Sequence, residues 1–368
     1  MIERIDDLAR SMREQFDEII DVRSPAEFAE DHIPDAVNLP VLSDDERTEV
    51  GTIYCQESRQ HARRIGASYV TRNISEHLTQ HFADKPNSYR PLIYCWRGGM
   101  RSESMATILN SVGWYSKTVS GGYRSWRQEV VKHLRNNPLE YRFILIDGQT
   151  GTNKTKVLSK LATKQLQILD LECLAQHRGS VFGSLENNKQ PSQKMFESMI
   201  FDELSKFDPS KPIFVEAESP KIGRRALPAS VVDNMRRSPR IELRAAPKTR
   251  AKGLVATYSD LVCSPRRLLA AIEYLRPYHS RSKIEQWKTL THDGDFEELA
   301  FGLVTEHYDP CYARQRRKRN DSPIEIIEMN DLDDDAISSA ATKITQLSNN
   351  AKSTFAPAAT KNTNRAVA

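Results

Sequence analysis

Two α/β domains in tandem, each built on a parallel sheet, are what this sequence predicts, and three observations carry the reading. Short apolar runs alternate with amphipathic stretches of helical spacing in both halves, as βαβ units require. A helix-breaking Asn-Asn-Pro inside the polar stretch 135–141 (RNNPLEY) separates the two series. The length, 368 residues, suits two domains of about 100 to 200 residues each.

In chain order, residues 18–22 (EIIDV) and 91–95 (PLIYC) read as buried strands. Residues 57–82 carry Ala62, Ile65, Tyr69 and Val70 at helical spacing, and 101–112 place Met105, Ala106, Ile108 and Leu109 on one side. The second series opens with strand 143–147 (FILID). A glycine-containing turn, a helix over 154–162, a strand over 166–171 and a strand over 212–217 (PIFVEA) follow. Residues 260–307 are helical text, with Leu268, Leu269, Ile272 and Leu275 in one apolar stripe and Phe296, Leu299 and Leu303 in another. The expected division is therefore 1–135, then 141–320 with extra C-terminal helices, then an acidic segment and disordered tail over 321–368, Ala/Ser/Thr/Asn-rich from Ser348 onward.

With 39% hydrophobic and 28% charged residues, the composition excludes collagen, coiled coil and wholesale disorder. No apolar run approaches the ~18 residues of a membrane span, and residues 1–13 are charged without a signal-peptide core, so a cytoplasmic protein with no membrane partner is expected. The five cysteines stand singly, which excludes a disulfide framework and a cysteine-rich zinc site; no metal ligands are assigned. A net charge of +4 leaves the case for a polyanionic partner to the distribution of charge.

The most informative string is 93–102 (IYCWRGGMRS). A strand ends on Cys95, and a turn holding Gly98 and Gly99 leads into a helix. Backbone N–H groups then converge above the sulfur, and with Arg97 and Arg101 they lower the thiol pKa and bind an anion. Cys95 is the expected nucleophile or carrier of a transferable atom. The plain alternative is a buried strand-end cysteine.

Residues 147–155 (DGQTGTNKT) lie between a predicted strand and a predicted helix. Gly148, Lys154 and Thr155 match G-x-x-x-x-G-K-[ST], with Gly151 inside the loop and Asn153 in place of the second glycine. Asparagine tolerates left-handed backbone. Such a loop cradles phosphate, Lys154 neutralises it, and Thr155 is within reach of a magnesium ion. Glu216 is a candidate acid beside that metal, or a strand-end carboxylate satisfied by Arg224 or Arg225. The polar, irregular strings 170–183, 190–196, 216–228 and 306–312 add His177, Arg178, Ser219 and Arg224 as loop-borne binding candidates.

On these residues a resemblance can be stated. Residues 20–40 (IDVRSPAEFAEDHIPDAVNLP) resemble the opening signature of rhodanese domains. Cys95 falls at that family's sulfur-carrying position, which implies a persulfide or its selenium analogue, with Asp21 and Arg23 as support near the loop or as a salt-bridged scaffold. The Cys-x5-Arg spacing is one residue longer than usual and resembles the phosphatases of the same fold, which leaves the transferred group open. Rhodanese text followed by a phosphate loop, over about residues 5–314, resembles the bacterial tRNA 2-selenouridine synthases. That resemblance implies an N-terminal rhodanese-like domain followed by a P-loop-type domain. It implies exchange of sulfur for selenium in wobble 2-thiouridine of tRNA, with selenophosphate and geranyl diphosphate as co-substrates and S-geranyl-2-thiouridine as intermediate. It calls for no tightly bound cofactor, and a monomer is expected.

Basic residues cluster at 236–252, with Arg236 and Arg237 foremost, and at 314–319, with Arg316 and Arg317. Both clusters suit phosphate-backbone contact, unless they form solvated faces or the acid run 331–335 pairs with the second. Tyr278 and His279 are candidates for stacking on an unpaired base, or for packing. Two rival functions stay open. One is a rhodanese sulfurtransferase or cysteine phosphatase fused to a small-molecule kinase-like domain. The other is a non-catalytic tRNA-binding protein.

Overall fold

The computed structural model describes residues 2–136, 139–183, 189–317 and 322–350. The N-terminal sheet is wholly parallel in the order β1-β5-β4-β2-β3, with β1 at Arg4–Ile5, β2 at Glu18–Asp21, β3 at Val37–Asn38, β4 at Pro91–Tyr94 and β5 at Lys117–Val119. Side chains alternate across it. Ile20, Ile93 and Cys95 share one core with Met105 and Leu109 of the helix Met100–Val112. Leu92 and Tyr94 face the other way, into a core that crosses to the second domain.

The second sheet is also parallel, in the order β12-β11-β6-β8-β7: β6 Phe143–Gly148, β7 Gln167–Leu169, β8 Ile213–Glu216, β11 Arg240–Arg244 and β12 Glu325–Glu328. A small hairpin, β9 Lys221–Ile222 with β10 Arg225–Ala226, stands apart from it. All four residues of β8 are buried, as expected of a parallel strand covered on both faces. The helices Pro265–Glu273, Arg281–Asp293 and Phe296–Leu303 enclose a separate core of Leu268, Ile272, Leu275, Ile284, Trp287 and Leu299.

The C-terminal segment departs from expectation. Over the described residues 322–350 the chain is not a detached tail, because β12 is the edge strand of the second sheet. The helix Asp334–Asn350 buries Ile337, Ala341 and Ile344 against Val157 and Leu161 of the helix Lys154–Thr163. Ser348 is thus helical, and the expected disorder over 351–368 lies outside the described residues. Nor, among the described residues, does the acid run 331–335 pair with Arg314, Arg316 or Arg317 of the basic cluster. The Asp331 carboxylate accepts from Leu332 N–H, and that of Asp333 accepts from Ala336 N–H as the cap of this last helix.

One continuous core fixes the two sheets relative to each other. Trp126, on the helix Gly122–Val131, is fully buried, its ring packs on Phe201, and its indole N–H donates to Ser198 Oγ at 3.3 Å. Buried carboxylates of the helix Gln193–Ser205 answer arginines of the first domain: Asp202 pairs with Arg13, and Glu197 with Arg127 and Arg135. Charges this deep need such partners.

Candidate active sites: a cysteine loop and a phosphate cavity

Cys95 follows β4 directly and is 4% exposed. The Gly99 N–H donates to Sγ at 3.3 Å, and the Ser102 hydroxyl lies 3.3 Å from the same sulfur. Burial pushes the thiol pKa up, but these two donors, the Ser102 N–H and the Arg101 charge outweigh it and hold the thiol below its ordinary range. Arg101 is itself held by Glu27 at 2.9 Å. Arg97 is exposed, whereas the Arg101 charge acts on the sulfur as the sequence suggests.

The floor of this loop comes from elsewhere in the chain. Gly122 has φ +59, and a Cβ there would stand 2.1 Å from the Cys95 carbonyl oxygen. Freed of a side chain, the turn lets Tyr123 N–H reach that oxygen at 2.8 Å, while Arg124 N–H reaches Trp96 O at 3.1 Å. Sequence reasoning missed Gly121 and Gly122, although a Gly-Gly pair after an apolar strand is itself a signal of close backbone approach. Asp21 and Arg23 form a fully buried ion pair at 2.6 Å. The Arg23 guanidinium lies 4.0 Å over the Tyr123 ring and donates to the Asp31 carbonyl. They are scaffold, supporting the loop through Tyr123.

In the second domain, Gly148 ends β6 and Lys154 opens its helix. Lys154 Nζ donates to Gly148 O at 3.1 Å, folding over the loop. Asn153 takes the left-handed conformation, φ +57, that a glycine would supply, and its side chain donates to Leu332 O at 3.3 Å. The substituting amide is thereby tied to the C-terminal segment. Gly148, Gly151, Lys154 and Thr155 all line one cavity of about 550 Å³.

Glu216 pairs with neither Arg224 nor Arg225. It lies 3.9 Å from Lys154 Nζ and accepts from the Thr155 hydroxyl at 3.1 Å. Glu172 and Glu218 join it, with ligand atoms of all three within 4.8 Å of one another. Burial, before mutual repulsion, raises all three carboxyls above their ordinary range. Three carboxylates beside a hydroxyl are the hard oxygen donors a divalent cation such as magnesium takes. Sequence reasoning missed Glu172 and Glu218; the strings DLEC and EAES held them. Gly179 makes room, since a Cβ there would stand 2.2 Å from Glu172 Oε1.

A second pocket adjoins the first. Phe182, Leu261, Leu268, Phe296, Leu299 and Leu303 line it, and Thr150, Ser180, Leu254, Tyr258 and Tyr308 belong to both walls. The Ser180 and Tyr258 hydroxyls sit 3.0 Å apart at the junction. Arg178 lines the polar cavity, paired with Asp260 at 2.9 Å and lying over the Tyr258 ring. Ser219 is on the same wall.

Other sequence candidates fall elsewhere. His177 Nδ1 accepts from Gly179 N–H at 3.1 Å and shapes the turn. Arg224 is exposed at the β9–β10 turn, its N–H bound to Gln190. Arg236 and Arg237 close the helix Ala229–Arg237, which leads into the amino end of β11; Gly148 aligns with Leu243 near the other end, so these arginines sit on the sheet edge opposite the phosphate loop. Arg316 is on the cavity wall and spans both oxygens of Glu242, so its charge is already engaged. Arg317 is exposed, while Lys318 and Arg319 lie outside the described residues. His279 packs on Trp287 and bonds His307, whereas Tyr278 is exposed.

The two sites are physically linked. Tyr123, under the cysteine loop, donates to Asp31 at 2.6 Å, and Arg127 lies between Asp31 and Glu197. On the helix that carries Glu197, Gln193 donates to Ala226 O, and Gln190, ahead of that helix, donates to Ala175 O and Ile222 O of the second domain.

A cysteine loop of rhodanese type joined to a P-loop cavity defines a two-domain group-transfer protein. Residues 5–129 match the rhodanese-like domain family, and residues 141–267 match the tRNA 2-selenouridine synthase AAA domain. The tRNA 2-selenouridine synthase of Pseudomonas fluorescens strain Pf-5 is 32% identical over 82% of this chain and 89% of its own length. That of Marinobacter nauticus is 31% identical over 81% and 88%. The match to the Nitrosomonas europaea protein of the same name, 36% identical, spans 60% of this chain and 58% of that one. The chain belongs to the tRNA 2-selenouridine synthase family, which is a family of tRNA-modifying transferases. No helix among the described residues is long and apolar enough to cross a membrane.

Proposed function

We propose that this chain exchanges the sulfur of wobble 2-thiouridine in tRNA for selenium, by way of an S-geranyl intermediate made from geranyl diphosphate, with selenophosphate as the selenium donor. One observation supports the finer reading: an apolar pocket adjoins the cavity of the phosphate loop, with Thr150, Ser180, Leu254, Tyr258 and Tyr308 in both walls. A ligand that fills both has an apolar tail and a phosphorylated head, as geranyl diphosphate does and a nucleotide does not. Lys154 and the loop N–H groups hold the diphosphate. Glu172, Glu216, Glu218 and Thr155 are the residues that would hold magnesium, which when bound neutralises diphosphate charge. Alkylation turns a poor sulfur leaving group into a better one. The selenium of selenophosphate attacks C2, geranylthiolate leaves with the C2–S electron pair, and water takes the phosphoryl group as phosphate, so selenium stays at the selenide level throughout. The Cys95 loop is assigned to this selenium step.

Titration of geranyl diphosphate and of inorganic diphosphate into the protein tests this. Lys154→Ala is expected to weaken both by about tenfold or more, a charge-assisted contact's worth. Leu299→Trp, which fills the apolar pocket, should weaken geranyl diphosphate alone. Equal affinity of the wild-type protein for the two ligands would remove the prenyl reading.

A further inference from the structure

The helix Phe296–Leu303 does not run straight into Asp309–Arg317; a π-helical turn, Val304–Tyr308, intervenes. Such turns re-aim the side chains around them and are frequent at functional sites. This one brings His307 and Tyr308 to the wall of the phosphate cavity, Tyr308 also forming part of the apolar pocket. His307 is therefore beside the junction where the head and tail of a prenyl diphosphate meet.

His307 is buried at 8% exposure, and its Nδ1 lies 2.9 Å from His279 Nε2. The His279 ring is in turn set edge-on against Trp287, with centroids 4.8 Å apart. A proton on His307 Nδ1, donated to His279, leaves Nε2 as the imidazole's lone-pair nitrogen. In that tautomer the cavity wall carries a neutral imidazole whose lone pair is on Nε2.

S-alkylation of a 2-thiopyrimidine needs such a base. The C=S π pair forms the new S–C bond to the prenyl carbon, and the C–O bond to diphosphate breaks with its electron pair leaving on oxygen. The N3–H bond pair becomes the N3=C2 double bond, so the N3 proton must be taken. Building on the geranyl diphosphate reading above, we infer that His307 is the general base of the alkylation step, accepting the N3 proton at Nε2, with His279 as its positioning residue. Burial first, then His279 and Arg314, hold the His307 pKa below its ordinary range, so the imidazole is neutral at physiological pH. The groups around the pair are Tyr278, Tyr308 and Arg314 on the His307 side and Glu306 with its partner Lys283 on the His279 side.

The test is the rate of S-geranylation of 2-thiouridine-containing tRNA against pH, with geranyl diphosphate affinity measured in parallel, for wild type, His307→Gln and His279→Gln. His307→Gln should lose about a hundredfold or more at neutral pH, the usual worth of a general base, while affinity stays within about threefold. Its rate should climb toward wild type in alkali, where the N3 proton is already lost to solvent. His279→Gln, which can still accept from Nδ1, should retain most of the activity. A His307→Gln rate equal to wild type, or a loss that is the same at every pH with affinity intact, overturns the base assignment alone. A wild-type protein that neither binds geranyl diphosphate nor alkylates overturns both this inference and the reading it rests on.

Discussion

Ser102→Ala isolates what the cysteine loop does to its thiol. The hydroxyl lies 3.3 Å from Sγ and 3.0 Å from Gly99 O, with no exposure of its own. A hydrogen bond to a charged group contributes about 1.5–3 kcal/mol, and at about 1.4 kcal/mol per pH unit its loss raises the Cys95 pKa by roughly one to two units. Because Cys95 is buried, solvent screening takes little from this figure. Only the thiolate reacts, so iodoacetamide labelling of Cys95 at neutral pH should slow by roughly tenfold or more. Peptide-resolved mass spectrometry against pH separates Cys95 from Cys55, Cys173 and Cys263, which are exposed. The midpoint for Cys95 should move up while the other three stay fixed. An unmoved midpoint in a variant of wild-type stability would show that Gly99 N–H and Arg101 set the thiolate without Ser102.

Further outcomes follow from other parts of the molecule. Gly122→Ala places a methyl group 2.1 Å from Cys95 O; the turn must shift, at about 1–3 kcal/mol of strain, and Cys95 labelling should change even where the protein remains folded by circular dichroism. Glu197→Ala takes from Arg127, half-buried at the domain interface, its nearer carboxylate and leaves only Asp31 at 3.7 Å. A loss of about 2–3 kcal/mol is expected, below the full value for a buried pair because Arg135 is exposed, and urea unfolding should separate into two transitions; a single unchanged transition would contradict the interface account. Glu172 is raised to about 9 and Glu216 to about 7. A carboxyl raised on folding binds its proton more tightly in the native state, so its stabilisation is present at low pH and lost as pH rises from roughly 5, near the unfolded value, through the folded one. Metal-free protein should therefore melt at progressively lower temperature toward pH 9, and magnesium should reverse the trend; a melting temperature flat across this range in both conditions would refute the acidic cluster.

Much of this was legible in the sequence because the signals are local. Strand, turn and helix around Cys95 and around Lys154 are contiguous text, and both appear where spacing puts them. Asn153 was legible too, since its residue type tolerates the left-handed backbone that it adopts. What was not legible depends on pairing across distance. Gly122 matters through the Cys95 carbonyl, 27 residues earlier in the chain, and Glu172, Glu216 and Glu218 meet only because β6, β7 and β8 are neighbours in the sheet. Within the basic clusters, the pairing of Arg316 with Glu242 and of Arg250 with Asp309 was hidden for the same reason. The terminal strand was hidden by its shortness and by the acids around it.

The central claim is tested most directly by mass spectrometry of nucleosides from 2-thiouridine-containing tRNA incubated with the purified protein, with geranyl diphosphate and selenophosphate supplied singly and together. Geranyl diphosphate alone should add a geranyl group to 2-thiouridine, and both donors together should yield 2-selenouridine, with Cys95→Ala retaining tRNA binding but losing the selenium product. Unchanged 2-thiouridine under all three conditions, from a folded protein that binds this tRNA, would contradict the account.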